Sequence, residues 1–100
     1  MNWHDTIIHA IKTRRLLLLT YDPGNRVVEP CAYGESLEHH GLLRSFQLNG
    51  ASASGEHINW KLFRTDRIHR LELLDQGFAG NRPEYRRGDK AMRGGIYCEL

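Results

Sequence analysis

The sequence predicts a mainly β fold in which a small five-stranded barrel stands behind one N-terminal helix. Three observations carry this. One helical period occurs near the N-terminus, where Trp3, Ile7 and Ile11 recur every four residues with Ile8 beside them. Short apolar runs then follow at spacings of about 8–12 residues, separated by turn residues. The run Trp60-Lys61-Leu62-Phe63-Arg64-Thr65-Asp66-Arg67-Ile68 alternates large apolar side chains with cations. Such a strand suits a wall that packs a core on one side and offers cations to an anion on the other.

The spacing predicts a helix over 3–14, with Asp5 as a candidate cap at its start. Lys12, Arg14 and Arg15 fall in its last turn, where cations suit the helix dipole. No second and third helix flank it, so no helix-turn-helix is expected. The barrel spans 16–75. Leu16 to Asp22 is the first strand, and Pro23-Gly24-Asn25 is a tight turn. Arg26 to Tyr33 is the return strand, and Pro30 places it at an edge or bends it there. Glu38 to Gly41 is a polar turn. Leu42 to Leu48 is the third strand, with Leu42, Phe46 and Leu48 at alternate positions and Arg44 among them. Asn49 to His57 is a connection rich in Gly and Ser. Ile58 to Thr65 is the fourth strand, Asp66 to His69 a single turn, and Arg70 to Leu74 the fifth strand.

Residues 1–78 thus form the domain, and 79–100 read as a basic C-terminal arm. Residues 61–100 carry nine Lys/Arg against six Asp/Glu, whereas residues 1–60 carry five against six. The second part is therefore the better candidate for meeting phosphate. Within the arm, Tyr85, Met92, Ile96 and Tyr97 are too apolar for a free tail, which favours packing on its own barrel or on a second subunit. No apolar run reaches the roughly 20 residues of a membrane span, and no signal peptide is expected. Cys31 and Cys98 suit free thiols in a reducing cytoplasm.

The order helix, Leu16-Leu17-Leu18-Leu19-Thr20-Tyr21, turn, Arg26-Val27-Val28-Glu29-Pro30, Leu43-Arg44-Ser45-Phe46 and Phe63-Arg64-Thr65-Asp66-Arg67-Ile68 resembles the WYL domain family over roughly residues 5 to 78. The closing Phe-Arg-x-Asp-Arg-Ile segment is the most specific part of the likeness. Ala10-Ile11 and Arg14-Arg15 match the family's helix and its paired basic residues. The Trp-Tyr-Leu run that names the family is absent. Gly41-Leu42-Leu43 stands in its place, and Arg44-Ser45-Phe46 looks like a variant of some branches.

The resemblance implies an Sm-like, SH3-type barrel. It also implies a bacterial, non-enzymatic regulatory module that senses a nucleotide or single-stranded nucleic acid, in transcriptional regulation or defence. The ligand site it implies uses Tyr21, Arg44, Phe46, Arg64 and Arg67. Most family members carry a winged helix before the barrel; here the barrel reads as standing almost alone, so direct promoter binding is not carried over from the resemblance.

The chemistry stands beside the likeness. An arginine fork binds phosphate through two hydrogen bonds. Arg44, Arg64 and Arg67 come from two neighbouring strands and the following turn, and Tyr21, Phe46 or Trp60 offer stacking surfaces for a base. The same arginines can equally pair with Glu29, Asp66 or Glu72, and Phe46 and Trp60 can equally be core. Alternation puts Trp60, Leu62 and Arg64 on one face and Lys61 and Phe63 on the other, without showing which faces inward. Ser52, Ser54 and Gly55 read as a hairpin loop rather than a phosphate cradle.

The six histidines have no metal-ligand spacing, so neither metal nor cofactor is expected. His69 follows Asp66 by three residues with no activated nucleophile near it, so no catalytic residue is expected. The sensor is expected to act through a homodimer or a partner regulator. The competing reading is a protein-interaction module with no nucleic-acid ligand, whose barrel docks on another protein.

Overall fold

The computed structural model describes residues 3–100. One helix, α1 (His4–Thr13), is followed by β1 (Arg15–Tyr21), β2 (Gly24–Glu35), β3 (Gly41–Gly50), β4 (Asn59–Arg64), a single 3-10 turn (Thr65–Arg67), β5 (Arg70–Gly77) and β6 (Gly95–Glu99).

The helix buries Ile7 and Ile11 of the stripe read from the sequence, together with Ala10, while Trp3 and Ile8 are half-buried. Its cap differs from the expectation. Trp3 holds the N-cap position without a side-chain cap bond, and Asp5 sits inside the first turn. There the carboxylate meets the positive end of the helix dipole instead of a particular N–H. Arg14 ends the helix in the left-handed conformation, so Arg15 already starts β1.

The strands form one antiparallel six-stranded sheet in the order β4-β3-β2-β1-β5, with β6 added to β2. This corrects the five-stranded closed barrel expected from the sequence. Among the described residues no ladder joins β4 to β5, and a sixth strand is present. The sheet nevertheless curls. A flat five-strand path is about 19 Å wide between its outer strands, and here those strands are linked by only Thr65 to His69, which include a helical turn. Tyr21 of β1 accordingly reaches Phe63 of β4 across the concave side, edge to face with ring centroids 5.0 Å apart.

Pro30 bends its strand, as the sequence indicates. The β2–β3 register shifts between Pro30 and Ala32. On its other side β2 leaves β1 after Val28 and takes up β6 from Ala32. The residue without an N–H thus falls in the gap between the β1 and β6 ladders, while it still faces Ser45 on β3. Gly34 allows β6 to come close, because a Cβ there would lie 2.3 Å from the Gly95 carbonyl oxygen.

Register sorts side chains into two faces. Tyr33, Leu43 and Phe63 form one cross-strand row inside the curl. With Ile7, Ile11, Leu17, Leu19, Val28, Ile68 and Leu71 they make the main core. Each such side chain contributes about 1.5–3 kcal/mol by burial. The outer face carries three rows: Glu29–Phe46–Trp60, Ala32–Arg44–Leu62 and Gly34–Leu42–Arg64. A second cluster of Ala32, Leu42 and Met92, with Tyr85 and Ala91 against it, packs residues 85–92 onto this face.

One arginine lies inside. Arg26 is 4% exposed. Its Nε and NH1 donate to the Tyr21 carbonyl at 3.1 Å and Gln47 Oε1 at 3.4 Å, and NH2 donates to the Asp22 carbonyl. The guanidinium lies over the Tyr21 and Phe63 rings, 5.3 and 5.4 Å from their centroids. Burial pulls its pKa down, but three oxygens and two ring faces hold the charge.

Candidate functional site

The outer face of β3 and β4 and the segment 84–90 border an open cavity of about 640 Å³ lined by Arg44, Trp60, Glu84, Tyr85, Arg86, Arg87, Gly88, Asp89 and Lys90. Its floor is the sheet and its wall is the segment read from sequence as an arm.

Two arginine forks pin that segment down. Arg44 Nε donates to Asp89 Oδ2 at 2.7 Å and NH2 to Oδ1 at 3.3 Å. Arg82 Nε and NH2 donate to the two oxygens of Glu29 at 2.8 and 3.2 Å. The Arg82 guanidinium also lies 3.6 Å from the centre of the Phe46 ring. Tyr85 donates its hydroxyl to the Cys31 carbonyl at 3.3 Å. The Arg44 guanidinium holds the Asp89 carboxyl below its ordinary value, and Glu29 holds the Arg82 guanidinium above its own.

Aromatic rings run across the floor. Phe46 meets Trp60 edge on at 5.3 Å, and Trp60 faces Tyr85 at 6.2 Å with only 23° between their planes. The indole N–H of Trp60 has no acceptor among the described residues. Burial pushes the Tyr85 hydroxyl up to about 12, so it is a neutral donor at ordinary pH. The lining carries four cations, Arg44, Arg86, Arg87 and Lys90, against Glu84 and Asp89. Arg44 pairs with Asp89 and Arg87 with Glu99, while Arg86 and Lys90 form no ion pair among the described residues. The lining of the site is cationic on balance.

The five residues expected at the site are divided. Arg44, Phe46 and Arg64 share the outer face, with Arg64 diagonal to Arg44 across β4. Arg64 is already engaged, its NH2 donating to Asp66 Oδ2 at 2.7 Å. Arg67 is exposed on the 3-10 turn. Tyr21 is on the other side of the sheet, with its ring on Phe63 and its hydroxyl accepting the Arg64 N–H at 3.3 Å. Only Arg44 of the five lines the cavity, and Phe46 supports it through Trp60. Ser52 and Ser54 accept hydrogen bonds from Lys61 Nζ in the exposed 51–58 loop, away from the cavity.

Reading the strands alone misses Tyr85, Arg86, Arg87, Asp89 and Lys90. Their signal is the mixture of cations and aromatics in the arm. What brings them to β3 is the pairing of β6 with β2. Among the described residues no helix is long and apolar enough to cross a membrane. No family model matches this chain, and no curated protein or solved structure matches it.

Proposed function

We propose that this chain is a non-enzymatic ligand-sensing domain that binds a nucleotide or a short single strand of nucleic acid in the cavity between β3, β4 and residues 84–90. The observation that carries the reading is the meeting, in one cavity, of the Trp60–Tyr85 ring pair with Arg44, Arg86, Arg87 and Lys90. A base stacks on any aromatic face, and cations track its phosphates without reading sequence. The volume lies within the range of small-molecule sites. Cations of Arg type favour phosphate through their planar fork.

The finer fold is part of the proposal. A leading helix, a curled antiparallel sheet and a one-turn link between its end strands support an Sm-like, SH3-type fold of the WYL kind. A regulatory role in transcription or defence, through a dimer or a partner regulator, follows from that likeness. The two free thiols suit a reducing cytoplasm.

The test is a titration with an oligothymidine and with adenosine monophosphate between about 50 and about 200 mM salt. Affinity falling steeply with salt supports the reading. Absence of binding at low salt contradicts it. The competing reading, a protein-docking module, is favoured by Ile58 and Leu62, 68% and 38% exposed beside the same face. A stoichiometric protein partner with no bound nucleotide would select it.

A further inference from the structure

We infer that, at the site proposed above, the Asp89 carboxylate is an internal competitor for Arg44, and that ligand phosphate displaces it and frees the strap of residues 79–94. Three features point there.

The first is the geometry of the pair. Arg44 grips both Asp89 oxygens, the arrangement it would offer to two oxygens of a phosphate. The pair lies in the wall of the cavity, with Asp89 only 10% and Arg44 29% exposed. A phosphate entering beside Trp60 and Tyr85 meets Arg44 already occupied by an anion. The Nε/NH2 edge of that guanidinium cannot hold both anions at once, so a phosphate that takes this edge competes with Asp89 for it.

The second is the build of the strap. Between β5 and β6 it has no strand or helix of its own. It is held by discrete points: Arg82 on Glu29 and Phe46, Tyr85 on Cys31, Arg87 and the Gly88 N–H on Glu99, Asp89 on Arg44, Met92 against Ala32 and Leu42, and the Gly94 N–H on the Glu35 carbonyl. Its far end is fixed by β6. Such a segment opens locally at small free-energy cost compared with the sheet.

The third is a local device that reports on the pair. The Ala91 N–H donates to Asp89 Oδ1 at 3.0 Å, and the Met92 N–H donates to the Asp89 carbonyl at 3.0 Å. Asp89 therefore shapes the turn that seats Met92. Loss of Arg44 from its carboxylate loosens the strap at this turn and lets the already exposed Arg86, Lys90 and Arg93 move toward a ligand, while Arg87 keeps its pair with Glu99. The closed pair lowers apparent affinity in proportion to the fraction of molecules in which Arg44 is free.

The experiment compares oligothymidine binding by the wild-type chain, Asp89→Asn and Glu84→Gln at one low salt concentration. Asparagine keeps an acceptor for the Ala91 N–H but gives up the charge. Glu84 lines the same cavity and forms no ion pair among the described residues, so Glu84→Gln removes one negative charge without freeing a cation. Competition predicts that Asp89→Asn binds at least about fivefold tighter, while Glu84→Gln gains less than about twofold. Hydrogen exchange at the Ala91 amide of the wild-type chain gives a readout independent of any variant, and it should quicken at saturating ligand.

Equal gains in the two variants, or weaker binding by Asp89→Asn, overturn the competitor while leaving the binding site standing. Unchanged or slower exchange at Ala91 in the liganded wild type does the same, even if Asp89→Asn fails to fold. No binding by any of the three chains overturns both the competitor and the site.

Discussion

Arg44 on β3 and Asp89 on the C-terminal strap, 45 residues apart in sequence, meet at 2.7 Å in a two-pronged ion pair. Removing one partner leaves the other partly buried and unpaired. Arg44→Ala should therefore lower stability by about 1–3 kcal/mol, measured by urea unfolding at neutral pH. A loss near zero would show that the pair is solvated.

The pair also sets an acid limit. Arg44 depresses the Asp89 pKa below its ordinary 3.8 in the folded chain. Its contribution is thus fully present above 3.8 and is lost as pH falls through the lower folded value. The stability difference between wild type and Asp89→Asn should hold at neutral pH and shrink only below about pH 4. A difference that shrinks instead near pH 6 would implicate another group.

Phe63 is the residue on which the curl closes. It is 1% exposed, with Tyr21 edge on and the buried Arg26 over its ring. Phe63→Ala should cost about 3–5 kcal/mol. Phe63→Leu should cost less, because it keeps most of the volume. Equal effects from both would mean that the ring contacts carry the site, not its volume.

The two thiols should react at different rates. Cys31 is 3% exposed, and burial, with Glu29 adding to it, pushes its pKa up to about 12. At pH 8 this thiol is therefore held in its un-ionised, unreactive form. Cys98 is only half-buried on β6. Iodoacetamide followed by mass spectrometry should label Cys98 first and Cys31 only on unfolding. Early labelling of Cys31 would mean that the strap over it opens readily.

Gly34 tests the attachment of β6. A Cβ there would meet the Gly95 carbonyl at 2.3 Å, so Gly34→Ala must push β6 aside. The expected cost is about 1–3 kcal/mol, with faster hydrogen exchange confined to 95–99. Unchanged exchange there would show that β2 gives way instead.

The helix and five strands were legible because each carries a local signal: a four-residue apolar repeat in α1, and turn residues between the strands. The bend at Pro30 was legible for the same reason, since a missing N–H is a property of one residue. The inward face of β4 was not. Both faces are mixed, with Ser45 and Lys61 inside and Phe46 and Trp60 outside, so alternation alone leaves the choice open. Nor was the sixth strand. Gly-Ile-Tyr-Cys-Glu has no period of its own and becomes a strand only against β2. That non-local pairing carries the strap back over Arg44 and converts a strand-based site into a cavity. Tyr21 was grouped with Arg44 by the order of motifs, but the sheet separates them.

The claim that ligand stacks on the aromatic rings of the cavity is tested most directly by Tyr85→Ala. Tyr85 faces Trp60 in the cavity, and the loss of one base–aromatic stack is worth about 1–3 kcal/mol. Oligothymidine affinity, measured at low salt with folding checked by circular dichroism, should fall by about 5- to 150-fold. A folded Tyr85→Ala chain that binds as tightly as the wild type would contradict the account.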